Sequence, residues 1–151
     1  MRCRWCSTER IGSLASYLIG IEPEPLTCGE WPQIERLLHG AAAVSPDPVE
    51  LLDDGELLWT VRRFEGSPVP VACIVGVLTC RLVSDAVEVG LVGGRDARGW
   101  AEPLTQMLCA WARDEGKPVL RAYGRRGWRK VLNWDAVGER DGFVAYERRA
   151  Q

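Results

Sequence analysis

With 151 residues, 46% of them hydrophobic and 26% charged, the chain has the size and make-up of one globular domain with its own core. A net charge of −2 gives no bulk argument for nucleic-acid binding, and no stretch reaches the roughly 18 apolar residues that a membrane span requires. The start, MRCRWCSTER, is too polar for a secretion signal, so an intracellular location is expected, in a host cytoplasm or in a particle assembled there.

In chain order, residues 8–19 (TERIGSLASYLI) place Ile11, Leu14, Leu18 and Ile19 on one helical face, so a first helix is expected there, capped by Ser7 or Thr8. IEPEPLTCGE follows as a loop. WPQIERLLHGAAA predicts a second helix, with Pro32 in its first turn and Trp31, Ile34, Leu37 and Leu38 as its stripe. SPDPVELLDDGE is a turn-rich connector. The period then changes: LLWTVRRFE (57–65), VPVACIVGVLTCRLV (69–83) and VEVGLVG (87–93) are three strands of an antiparallel meander.

The turn VGGRDARGWAEPL (92–104) comes next. It leads into a helix whose Trp100, Leu104, Met107, Leu108 and Trp111 share one face, with Gly116 at its stop. A proline deep in a helix lacks a needed N–H, so Pro103 predicts a start near Glu102 and a helix over 102–115. Glu102 would then offset the helix dipole from within. PVLRAYG (118–124) is a strand and RRGWRKVL (125–132) a short basic helix. WDAVGE and FVAYERRA close a hairpin around RDG (140–142).

Charge is unevenly placed. Residues 1–94 carry 7 Lys/Arg against 13 Asp/Glu, and residues 95–151 carry 12 against 8. A phosphate-bearing ligand or an acidic partner would therefore meet the C-terminal part. Arg125, Arg126, Arg129 and Lys130, with Trp128 for stacking, form a weak nucleic-acid candidate, and a solvated face is the plain alternative. Of seven tryptophans, Trp5, Trp31, Trp59 and Trp134 fall near element ends or in loops, where contacts with other proteins are made.

Cys73, Cys80 and Cys109 sit in apolar runs and read as small core residues. Cys3 and Cys6 form a CxxC which, with Cys28 and His39, supplies four zinc-type ligands. There is one CxxC only, and the other two ligands are far apart in sequence, so unpaired thiols are the default and no metal is favoured.

The order of elements, the residues of 87–132 and the runs LRAYGRRGWRKVL and FVAYERRA resemble the GCN5-related N-acetyltransferase (GNAT) superfamily, in its divergent phage and prophage form. The resemblance covers roughly residues 55–150. It implies one α+β domain: a twisted, mixed, mostly antiparallel central sheet flanked by helices. Residues 1–54 would be a divergent helical part, without the usual first strand, and 55–150 the sheet.

It further implies that acetyl-CoA lies where the sheet splits, its phosphates on the turn and helix start. Val92, Gly93, Gly94, Arg95, Arg98, Gly99, Trp100 and Ala101 are then the candidate donor-binding residues. The family's Gln/Arg-x-x-Gly-x-Gly/Ala pattern falls on Asp96 to Ala101, with Asp96 in the first position. The position of the family's usual acid, a tyrosine, is held by Arg129. Glu88 as base and Tyr123 as acid are the remaining catalytic candidates; a water-facing Glu88 and structural strand roles for Tyr123 and Tyr146 are the plain alternatives. The expected function is an acetyl-CoA-dependent N-acetyltransferase of unspecified acceptor. The alternative is a non-catalytic phage virion or assembly component of the same fold, acting through protein contacts.

Overall fold

The computed structural model describes residues 7–11, 15–21, 30–43, 56–65 and 71–151. Eight strands form one sheet in the order β1-β2-β3-β4-β5-β6-β8-β7, and all neighbours but one are antiparallel. The strands are β1 (Ser7–Ile11), β2 (Ala15–Ile21), β3 (Leu57–Glu65), β4 (Val71–Leu82), β5 (Ala86–Gly94), β6 (Val119–Gly124), β7 (Asp135–Arg140) and β8 (Phe143–Arg149). Two α-helices, α1 (Trp31–Ala42) and α2 (Ala97–Asp114), and a single 3₁₀ segment at Arg126–Lys130 complete the described elements.

The helix expected over residues 8–19 is not formed. The described ones, 8–11 and 15–19, lie in two antiparallel strands in which Ser7 pairs with Ile19 and Ile11 with Ala15, and β2 continues onto β3. Ile11, Tyr17, Ile19 and Ile21 are β-branched or aromatic. Residue types of that kind favour strands, and pairing with β3 satisfies the backbone, which outweighs a helical spacing that four apolar residues happen to satisfy. The first strand, thought missing, is thus supplied twice. The CxxC and most of the connector before β3 lie outside the described residues.

Other elements follow their local chemistry. Pro32 sits in the first turn of α1, where its missing N–H costs nothing. Asp141 and Gly142, at φ 50° and 83°, turn the β7–β8 hairpin in the left-handed pair of conformations that an Asp-Gly dipeptide favours.

Each helix covers one face of the sheet. Ile34, Leu38 and Ala41 of α1 pack on Leu58, Ile74, Val77 and Leu91. On the opposite face, Trp100, Leu104, Leu108 and Trp111 of α2 pack on Trp59, Leu78, Cys80, Val87, Val89 and Leu120. Trp59 is 0% exposed and meets Trp111 at 5.5 Å between ring centroids. It is therefore a core residue and not the contact residue its sequence position suggested. Alone, a β3 residue such as Trp59 does not reveal which sheet face a helix will cover.

Helix α2 starts at Ala97, five residues before the expected Glu102, and Pro103 lies inside it. An internal proline costs about 3 kcal/mol. The early start offsets that cost by carrying Trp100 and Ala101 into the core. The Trp100 indole lies on Gly76, where a β-carbon would come within 2.8 Å of the ring, and its N–H donates to the Arg95 carbonyl at 2.7 Å. Gly99, the residue whose carbonyl Pro103 would crowd, has no side chain of its own to add to that crowding. Glu102 consequently falls in the second turn, where it pairs with Arg148 at 3.3 Å, and the first turn of the helix holds no acid.

Candidate active site

The site begins with a fault in strand pairing. β5 pairs with β4 along its length, but Leu78 faces Val92 while Cys80 faces Val89. One β4 residue, Thr79, therefore opposes two β5 residues, Gly90 and Leu91. The buried Thr79 hydroxyl accepts the Leu91 N–H at 2.9 Å and so replaces the lost backbone partner. Gly90 is required there, since a β-carbon would stand 2.7 Å from that hydroxyl. A bulge bends and twists its strand.

On its other edge β5 pairs in parallel with β6 only from Ala86↔Val119 to Val89↔Ala122. The pairing stops where the bulge begins. Beyond it the two strands diverge, leaving a cleft on the α2 face. The cleft is lined by residues 92–94 of β5, by Trp100, Ala101, Leu104, Thr105 and Leu108 of α2, and by Trp128, Leu132 and Trp134 beyond β6. Its free volume is about 160 Å³.

A second, open hollow adjoins it at the start of α2, lined by Arg63, Asp96, Ala97, Arg98, Gly99 and Val131. Asp96 precedes the helix in the left-handed conformation, φ 58° and ψ 33°, and its side chain does not cap it. Its carboxylate instead meets Arg63 of β3 at 3.0 Å. The acidic residue in the anion-binding position is thus countered from a neighbouring strand. Arg98 is exposed and shows no ion pair among the described residues.

Of the eight candidate donor-binding residues, Val92, Gly93, Gly94, Trp100 and Ala101 line the cleft, and Arg98 and Gly99 line the hollow. Arg95 lines neither. It forms the corner, its N–H donating to the Val75 carbonyl at 2.8 Å. The two glycines also serve packing. A β-carbon on Gly93 would collide with the Leu37 carbonyl of α1, and one on Gly94, at φ 144°, with the Val75 carbonyl.

Glu88 and Tyr123 do not line the cleft. They alternate with Val87, Val89 and Ala122, which face α2, so both lie on the opposite face of the sheet. Glu88 is held by Arg81 at 2.6 Å, and the Arg140 guanidinium stands 5.8 Å over the Tyr123 ring. On the same face Arg121 bridges Asp85 and Glu147, and its hydrogen bonds hold the Asp85 carboxyl below the usual range. Tyr146 is buried and donates to the Arg125 carbonyl at 3.0 Å, a structural role as expected.

Trp128 is not a free stacking residue. It lies against Gly124 and stacks on Tyr146 at 6.3 Å, while Arg126 pairs with Glu139 at 3.2 Å. Trp134 is half-buried against the α2 core, not offered to a partner. Among the cleft residues missed in the sequence are Thr105, Trp128, Leu132 and Trp134. Thr105 was visible one turn beyond Ala101; the tryptophans follow β6 in a basic stretch that masks their burial. Cys80 and Cys109 are buried as expected, and Cys73 is half-buried. Among the described residues no three His, Cys, Asp or Glu side chains are arranged to hold a metal. His39 is exposed, 3.7 Å from Glu35, and Cys3, Cys6 and Cys28 lie outside the described residues.

No family model and no curated protein matches the chain. Solved structures do. The GNAT domain of S. lividans PAT superposes with a TM-score of 0.59 at 13% identity, over 99% of this chain and 99% of that one. Tetrahymena GCN5 gives 0.60 at 12% identity, over 88% and 96%. The ribosomal-protein-S18-alanine N-acetyltransferase of Escherichia coli gives 0.55 at 11%, over 87% and 94%. At such identities the likeness establishes the fold: the chain has the mixed α+β fold of the GNAT acetyltransferases.

Proposed function

We propose that the protein is an acyl-CoA-dependent N-acyltransferase, with acetyl-CoA as donor and an amine as acceptor. The observation that carries this reading is the splayed β5–β6 pair opening directly beside the start of an 18-residue helix whose first turn holds no acid. A solved structure of the same fold, from Escherichia coli, is named as an N-acetyltransferase.

The residues suit a thioester carried on a phosphorylated arm. Val92, Leu104 and Leu108 offer apolar contact for the arm. The exposed amide end of α2, with Arg98 beside it and Asp96 countered by Arg63, favours an anion. When bound, the donor supplies an activated acyl carbon. The protein's share is to hold that carbon in the split and present an amine to it from the far face of the sheet. Glu88 and Tyr123 stand on that face, as base for the amine proton and acid for the departing thiolate.

Titration calorimetry with acetyl-CoA tests the reading: a saturable heat is expected, and its absence up to millimolar donor overturns it. The virion or assembly reading rests on the altered turn, the absent tyrosine and exposed-looking tryptophans and arginines, and of those tryptophans Trp59 and Trp134 are packed in the core and the cleft.

A further inference from the structure

The cleft is too small for the arm it should take. About 160 Å³ is free in the cleft and about 540 Å³ in the open hollow beside it, whereas sites for extended organic ligands run from roughly 300 Å³ upward, so the shortage lies in the cleft. One wall must move. Trp100 and Trp128 are poor candidates, the first fixed over Gly76 and the second clasped between Gly124 and Tyr146.

Trp134 differs. It ends the stretch 131–134, which has no regular secondary structure, and it is only half-buried. Its indole N–H donates to the Thr105 hydroxyl at 3.0 Å, and that hydroxyl in turn donates to the Ala101 carbonyl at 2.8 Å. Thr105 is 2% exposed and stands in the wall of the cleft. The first two residues of the stretch are held by backbone bonds, the Val131 and Leu132 N–H groups donating to the Trp128 carbonyl at 2.9 and 2.8 Å, whereas from the outer side Arg148 donates to the Asn133 carbonyl at 2.7 Å. Val131, in the same stretch, lines both the cleft and the hollow at the start of α2.

We infer that Trp134 is the gate of the cleft and Thr105 its catch. An acyl donor enters by breaking the Trp134 N–H to Thr105 hydroxyl bond and swinging Asn133 and Trp134 outward, which widens the cleft beside the hollow. The inference rests on the acyl-donor reading for the identity of the ligand, but the catch itself is testable without one.

Thr105→Val keeps the shape and removes the hydroxyl; Trp134→Phe keeps an aromatic ring and removes the N–H; Thr105→Ser restores the catch. Without ligand, acrylamide quenching of tryptophan fluorescence, with W134F as the reference lacking that indole, should rise in T105V and return to the parental level in T105S. With acetyl-CoA in stopped flow, T105V and W134F should associate about three- to tenfold faster, the equivalent of one neutral hydrogen bond, and T105S at the parental rate. Equal quenching in T105V and the parent overturns the gate. So does an association rate that is unchanged in T105V while acetyl-CoA binds. If acetyl-CoA binds no variant, the donor reading fails and quenching alone decides the gate.

Discussion

The two edges of β5 show how this fold makes a site. Toward β4 the strand is paired along its length, with one bulge repaired by a threonine hydroxyl. Toward β6 it has four residue pairs and then none. The same bulge explains both. The antiparallel neighbour tolerates an extra residue because Thr79 supplies the missing acceptor. The parallel neighbour has no such side chain, and the pairing ends. A cleft is thereby opened by a local defect on the opposite edge of one strand.

The largest effect is expected from removing what props the corner after β5. Trp100→Ala should cost about 3–5 kcal/mol in urea unfolding, since it deletes a buried ring and its hydrogen bond to Arg95 together. A loss below 1 kcal/mol would mean that Gly76 and Trp100 do not set the height of α2.

Next comes the defect itself. Thr79→Val leaves the Leu91 N–H without its acceptor in a buried place, a loss of about 1–3 kcal/mol. If the bulge causes the split, acetyl-CoA affinity should fall as well. Lost stability with unchanged affinity would separate the two edges.

Cys80 sharpens the paired edge by pH. It faces Val89 at the last pair before the bulge, fully buried, and burial pushes its thiol well above the ordinary 9.0, helped by Glu56. The sign follows from the raised value. Below pH 9 the buried thiol is neutral in both states and its contribution is intact. Above it the unfolded thiol ionises first, so stability falls as pH rises, the unfolding constant climbing about tenfold per pH unit from this group. Cys80→Ala should remove that part of the alkaline slope. An identical slope in the two proteins would place Cys80 in contact with solvent.

The smallest change in stability belongs to the far face. Glu88→Gln breaks a partly exposed pair with Arg81 and should cost less than about 1 kcal/mol. Transfer, if Glu88 is the base, should drop about a hundredfold or more with little change in donor affinity. An unaltered turnover removes Glu88 from the chemistry.

Much of this was written in local sequence. The span of β3, the apolar faces of both helices and the Asp-Gly turn of the last hairpin follow from spacing and backbone preference alone. These are short-range effects, in which each residue's own conformation or its neighbour one turn away decides the outcome. Residues 8–19 were misjudged because four apolar residues fit a helical stripe as well as a strand, and only the presence of β3 as a pairing edge breaks that tie. The start of α2 was misjudged because the cost of Pro103 is local, whereas what offsets it, the seat of Trp100 on Gly76, lies 24 positions away in sequence. The candidate turn was legible as a glycine-rich corner before a helix. That Arg63 counters Asp96, that Gly93 makes room for α1 and that Trp134 closes the cleft was decided by tertiary packing, because each joins groups that no sequence window holds together.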